Sequence, residues 1–175
     1  MNKRIRQVIA AVTARISELD RRLIACYLDV GEAELFWRMN LADQRHALNV
    51  ACTAGELADA NPAIDRQLLI KCALLHDIGK VKGDVSTFDK IIAVLLDKFA
   101  SDWARQWARQ GRGGKLANLR HAIYIYYHHA GRGAAMLKAR GASEQLAQLV
   151  ARHHDAPEND DCPELTLLRQ ADSEH

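Results

Sequence analysis

Leu74-Leu75-His76-Asp77-Ile78-Gly79-Lys80 is the stretch on which the reading of this 175-residue chain turns. Leu68 and Cys72 precede His76 at four-residue steps, so the histidine falls on the inward stripe of a helix. Asp65 is the expected N-cap of that helix, and Gly79 its closing residue after Ile78. His76 and Asp77 are therefore expected in its last turn, where unpaired carbonyls carry partial negative charge and favour a cation. Adjacent residues project about 100° apart, so the pair can bracket one metal ion. Lys80 either points its ammonium at a substrate oxyanion or is an ordinary solvated loop lysine.

Working outward, the same oddity recurs. His46 shares a face with Val50, Thr53 and Leu57; Leu146, Leu149 and Val150 lead onto His153; Leu165 and Leu168 lead onto Asp172. A lone buried histidine is usually a core residue with a hydrogen bond. A buried aspartate is different, because desolvating a carboxylate is costly unless a cation or donors compensate it. Two aspartates and at least three histidines on four inner faces are most simply explained by convergence on a divalent metal, the natural partner of mixed imidazole and carboxylate donors. A structural zinc site fits poorly, since only Cys72 and His76 have ligand spacing.

The rest of the chain predicts helices. Ile5, Val8, Ile9, Val12, Ile16, Leu19, Leu23 and Tyr27 mark one long amphipathic helix ended by Val30-Gly31. Segments 32–39, 41–60 and 65–78 follow, the second broken by Asn61-Pro62. Ser86 and Asp89 resemble a capping box ahead of Ile91, Val94, Leu95 and Phe99. After a loop at Gly111, Gly113 and Gly114 come segments near 116–127, 131–140, 143–154 and 164–174. Ile123 to Tyr127 has strand-like residue types but nothing to pair with. The expectation is a single all-α domain of eight or so helices.

Composition agrees with one globular domain, at 49% hydrophobic and 26% charged residues. The formal charge of +2 argues against a polyanion-coating protein. It conceals nine Lys/Arg against one acid between Lys98 and Arg140, and seven acids against one Arg from Asp155 to His175. These are either two solvated faces or a basic rim that attracts a phosphorylated substrate. Trp103 and Trp107 are expected in the core, which leaves the basic segment without stacking aromatics and argues against nucleic acid. Cys26, Cys52, Cys72 and Cys162 form no C-x-x-C pair and read as small buried hydrophobes in a reducing compartment. No apolar run is long enough for a membrane span and no secretory signal is visible, so a cytoplasmic protein is expected.

The ordered set His46, His76-Asp77 and Asp172 resembles the HD-domain superfamily of metal-dependent phosphohydrolases, with His76-Asp77-Ile78-Gly79-Lys80 similar to its HDIG subgroup. Arg45-His46-Ala47-Leu48-Asn49-Val50 and Leu167 to Asp172 resemble the family's first-histidine and last-aspartate helices. The resemblance covers 41–175 and implies a compact multi-helix bundle with the metal site among its central helices. Residues 1–40 would be a helical extension, for packing on the domain or for a dimer surface. His46, His76, Asp77 and Asp172 would ligate one metal. His129-Ala130-Gly131-Arg132-Gly133-Ala134 and His153-His154-Asp155 resemble two further family segments, apart from Ala130 for a proline and Asp155 for a glutamate. Asp77 would then bridge two metals, with His129 and His153 on the second; His128 and His154 are the competing choices. Ala156 to Asp160 stands where cyclic-dinucleotide phosphodiesterases of the superfamily carry Gly-Tyr-Pro, so that assignment is declined.

The implied cofactor is one or two divalent ions, Mn or Fe favoured, with Mg, Co, Ni or Zn compatible. The implied reaction is hydrolysis of a phosphate ester or anhydride in a small molecule, expected to be a nucleotide, with Asp77, Lys80 and Arg132 as the catalytic residues. His128 or His154 would protonate the leaving oxygen. An inactive nucleotide- or partner-sensing module and a di-iron oxygenase share these ligands. A homodimer is left open; neither nucleic acid nor membrane is an expected partner.

Overall fold

A computed structural model describes residues 15–175. Its regular structure is all-α: α1 Glu18–Tyr27, α2 Val30–Trp37, α3 Leu41–Asp59, α4 Arg66–Leu75, α5 Thr87–Trp107, α6 Lys115–Ala139, α7 Glu144–Arg152 and α8 Pro163–Glu174. Among the described residues there is no strand, only an isolated bridge between Met39 and Val81.

The centre of the bundle is α4. Leu68, Leu69, Ile70, Cys72, Ala73, Leu74 and Leu75 are all buried, and a helix that is apolar nearly all round must be covered on every side. Helices α3 and α8 cover much of it, α7 reaches it from the side of α6, and α1 and α2 also pack on it. Ile24, Leu35, Phe36 and Met39 join the same core as Leu48, Leu74, Leu137, Val150 and Leu168. A smaller cluster of Ala93, Ala104 and Ile123 joins α5 to α6. No helix of the described residues is long and apolar enough to cross a membrane.

Several expected boundaries move, each for a local reason. The long first helix does not run through residue 17: Ser17 and Asp20 form a capping box that starts α1 at Glu18, and Ile5, Val8, Ile9 and Val12 lie outside the described residues. Val30-Gly31 opens α2 rather than closing α1, because Asp29 and Glu32 form a second capping box. Segments 116–127 and 131–140 are one helix, α6, running through Gly131 and Gly133, and it absorbs the strand-like run Ile123 to Tyr127. Trp103 is half exposed, stacking on Trp107 at 5.0 Å, rather than in the core. Cys26 and Cys52 are exposed, leaving only Cys72 as a buried cysteine.

Asp65 caps α4 as expected, accepting from the Leu68 amide at 3.0 Å. The helix ends at Leu75, however, and His76 to Gly79 form a turn beyond it. Gly79 therefore serves another purpose than helix closure. A Cβ there would lie 2.0 Å from the His129 carbonyl oxygen, and one on Gly133 would press on Ile78 and Val150 at 3.2 and 3.3 Å. Two glycines thus let the backbone of α6 touch the His76–Gly79 turn.

Gly79→Ala should force α6 off the turn, an overpacking against rigid backbone that costs about 3 kcal/mol or more and lowers Tm by roughly 6–12 °C. Gly131→Ala, where nothing lies within 4 Å, should leave Tm unchanged or raise it. Calorimetry of both variants decides, and an unchanged Tm for Gly79→Ala would contradict this contact.

Candidate metal centre

Five segments deliver eight ionisable side chains to one place. Helix α3 supplies His46, the turn after α4 supplies His76, Asp77 and Lys80, α6 supplies His129, the end of α7 supplies His153 and His154, and α8 supplies Asp172. Their donor atoms fall into two groups, each with all atoms within 4.8 Å of one another: His46, His76 and Asp172, and Asp77, His129, His153 and His154. Asp77 lies between them. Its Oδ2 is 3.5 Å from His76 Nε2 and 4.0 Å from His46 Nε2, while Oδ1 is 3.3 Å from His129 Nε2. Asp172 Oδ1 is 2.9 Å from His46 Nε2 and 3.7 Å from His76 Nε2.

The buried histidines are held in one tautomer. Nδ1 of His76 donates to Ala73 O at 2.8 Å, Nδ1 of His129 to Tyr126 O at 2.9 Å, and Nδ1 of His153 to Val150 O at 2.7 Å. A carbonyl can only accept, so the proton resides on Nδ1 and each Nε2 presents its lone pair to the cluster. The same device orients imidazoles in metal sites. It arises because each histidine follows its carbonyl by three residues, one helical turn. Nε2 of His76 and of His153 is buried without a hydrogen-bond partner. Leaving such an atom unsatisfied is costly in a dry interior, and a cation in each donor group would satisfy it.

Electrostatics favour the ligating forms. Burial alone would raise the Asp77 carboxyl, but the Lys80 ammonium above all, with His76 and His129 beside it, holds it well below the usual carboxylate range. Asp172 behaves alike: burial opposes ionisation, and the His46 hydrogen bond with the charge of His76 overcomes it. Burial, helped by the neighbouring His76 and His154, pushes His153 well below its ordinary value. His154 is pushed down to about 4 by burial and by His129. His76 goes the other way, raised by Asp77 and Asp172 against its burial. Ionised carboxylates and neutral imidazoles are the states that bind a metal, and Asp77, Asp172, His153 and His154 are held in them.

All six expected ligands come together. Of the doublets, His129 faces Asp77, whereas His128 is exposed and packs on Tyr124 at a centroid distance of 4.5 Å. His153 and His154 both reach the second group, His154 Nε2 lying 3.0 Å from His129 Nε2. Lys80, no free loop lysine, contacts both Asp77 oxygens at 2.7 and 2.8 Å. Arg132 is engaged elsewhere, its Nη2 2.9 Å from Asp84 Oδ2. The basic segment does not ring the centre. Arg109, Arg112, Lys115 and Arg120 line a cavity of about 570 Å³ at the start of α6, about 20 Å along that helix from His129.

Sequence reasoning missed the outer pairs, Asp43 with Lys90 at 2.8 Å and Arg132 with Asp84. Asp43, three residues before His46, signals a polar helix face, but nothing in the sequence names its partner. His175 meets Thr53 Oγ1 at 2.9 Å and ties the end of α8 to α3.

Elemental analysis of the purified protein should find one or two transition-metal ions per chain, manganese or iron ahead of zinc. His76→Ala should lose them while far-UV circular dichroism stays helical. A parent that remains metal-free after incubation with each ion would contradict the assignment.

A family model described as HD domain matches residues 44–175, the part of the chain that supplies every residue of the centre. No curated protein and no solved structure matches the chain. HD domains bind divalent metals, typically on a phosphohydrolase fold, and the two donor groups described above could each hold such an ion. The chain belongs to the HD-domain family.

Proposed function

We propose that this protein is a metal-dependent phosphohydrolase that cleaves a phosphate ester or anhydride bond in a small phosphorylated molecule, a nucleotide being the expected class. The observation that carries the reading is the set of Nε2 atoms of His76, His129 and His153, each with its tautomer pinned by a backbone carbonyl and turned toward Asp77.

His46, His76, Asp77 and Asp172 would hold one divalent ion, and Asp77, His129 and His153 a second, with His154 beside them. Such ions lower the pKa of bound water and polarise phosphoryl oxygens. The protein's own groups do the rest. Asp77 stays ionised and faces both donor groups with one oxygen each. Lys80, about a quarter exposed at the edge of the cluster, offers a cation to the phosphoryl group where charge develops. His154 stands close to His129 and is neutral at pH 7, which suits a ligand or proton acceptor better than the proton donor expected of it. The pairing of Arg132 with Asp84 leaves it a role in fixing the 81–86 loop against α6. An intact set of ligands weighs against the inactive sensing module.

The test is a screen of nucleotides and phosphate esters with added Mn²⁺, following released phosphate or nucleotide. Turnover of at least one class is expected, lowered by at least about a hundredfold in Asp77→Asn. Lys80→Ala should lower turnover by about a hundredfold while leaving the metal content unchanged. Two irons per chain with oxygen consumption and no hydrolysis would overturn the reading in favour of an oxygenase.

A further inference from the structure

Helix α5 turns its large apolar side chains outward. Phe88, Ile91, Val94, Leu95 and Phe99 are 70%, 54%, 46%, 43% and 77% exposed, and all precede a kink at Ala100. Their spacing places them on one continuous stripe, while the opposite side of the helix buries Ala93 and Ala104 against Ile123 of α6. Trp103 and Leu116, at 50% and 64% exposed, extend the patch. With aromatic side chains carrying roughly 150–250 Å² each, the apolar surface left open is on the order of 700 Å². A typical monomer's largest such patch is about 300–600 Å², and each partner in a standard interface contributes about 800 Å².

The same face also holds a receptor. A cavity of about 470 Å³ opens between the starts of α5 and α6, lined by Phe88, Ile92, Leu116 and Leu119 among others. Phe99, the most exposed side chain of the stripe, lies two to three turns further along α5. A knob and a hole set apart on one helix are both satisfied by a second, antiparallel copy: a two-fold axis beside Leu95 carries each residue 99 to the other copy's 88–92 segment. Asp89, Lys98, Asp102 and Arg105 along α5 are two of each sign, and Lys115 at the cavity adds one positive charge. The area of the patch, close to one partner's share of a standard interface, and the knob and cavity carried on one helix favour a second copy of the chain as occupant.

We propose that the protein forms a two-fold dimer through α5, each Phe99 seated in the other copy's cavity and the two Leu95 side chains facing each other across the axis. The interface bears on the metal centre through α5 itself. Lys90 holds Asp43, one turn before His46, and Asp97 accepts from Tyr126 and Tyr127, just ahead of His129, at 2.8 and 2.7 Å.

Sedimentation velocity across the micromolar range tests this on the full chain. The parent should sediment as a dimer, and Phe99→Asp and Leu116→Asp should each weaken self-association by at least roughly a hundredfold. Both positions are solvent-facing, so the variants should keep the parent's circular dichroism. In a background with the exposed Cys26 and Cys52 changed to serine, Leu95→Cys should give a disulfide-linked dimer under mild oxidation. A monomeric parent, or an equally tight dimer in the Phe99 and Leu116 variants, overturns the proposal. The first result would leave residues 1–14 or a different protein as the occupant of the stripe. Absence of the Leu95→Cys cross-link overturns the two-fold placement.

Discussion

The structure depends on one carboxylate that has almost no contact with water. Asp77 is 2% exposed, and an unpaired charge at that depth would push the chain toward unfolding or toward protonation. Neither happens, because Lys80, His76 and His129 surround it. Those partners come from the turn beyond α4 and from α6, and α6 reaches it only because Gly79 and Gly133 let two backbones meet. The most deeply buried helix of the bundle, α4, therefore ends in a turn that carries His76, Asp77 and Lys80, and the surrounding helices bring donors to that turn as well as apolar surface.

The site was legible in the sequence to an unusual degree, for a physical reason. Evolution rarely tolerates histidine or aspartate on an inward stripe without compensation, so His46, His76, His153 and Asp172 each stood out against the leucines and valines that flank them. What periodicity could not resolve was direction within a doublet. His128 and His129 differ by about 100° on α6, and only the packing of α6 on the turn decides that His129 faces Asp77. The outer ion pairs were hidden for a similar reason: Asp43 and Lys90, or Asp84 and Arg132, are 47 or 48 residues apart, and no local pattern links them.

The fold class was equally plain, and its errors are instructive. Capping boxes at Ser17 and Asp29 outrank apolar periodicity in setting where α1 and α2 start. Segments 116–127 and 131–140 read as two helices, yet α6 is continuous across them, and its Gly133 allows close approach to Ile78 and Val150. The stripe on α5 has the spacing of a core-facing surface and yet points to solvent. Spacing reports that a face is apolar; it does not report what covers it.

Thermal unfolding of the metal-stripped protein, with and without manganese, tests the central claim most directly. If the two donor groups around Asp77 form a metal centre, the ion binds the folded state alone. At a hundred times its dissociation constant it then adds about 2.7 kcal/mol of stability, a rise in Tm of roughly 5–10 °C, and His76→Ala abolishes the rise. A Tm unmoved by manganese, iron, cobalt, nickel, zinc or magnesium would contradict the account.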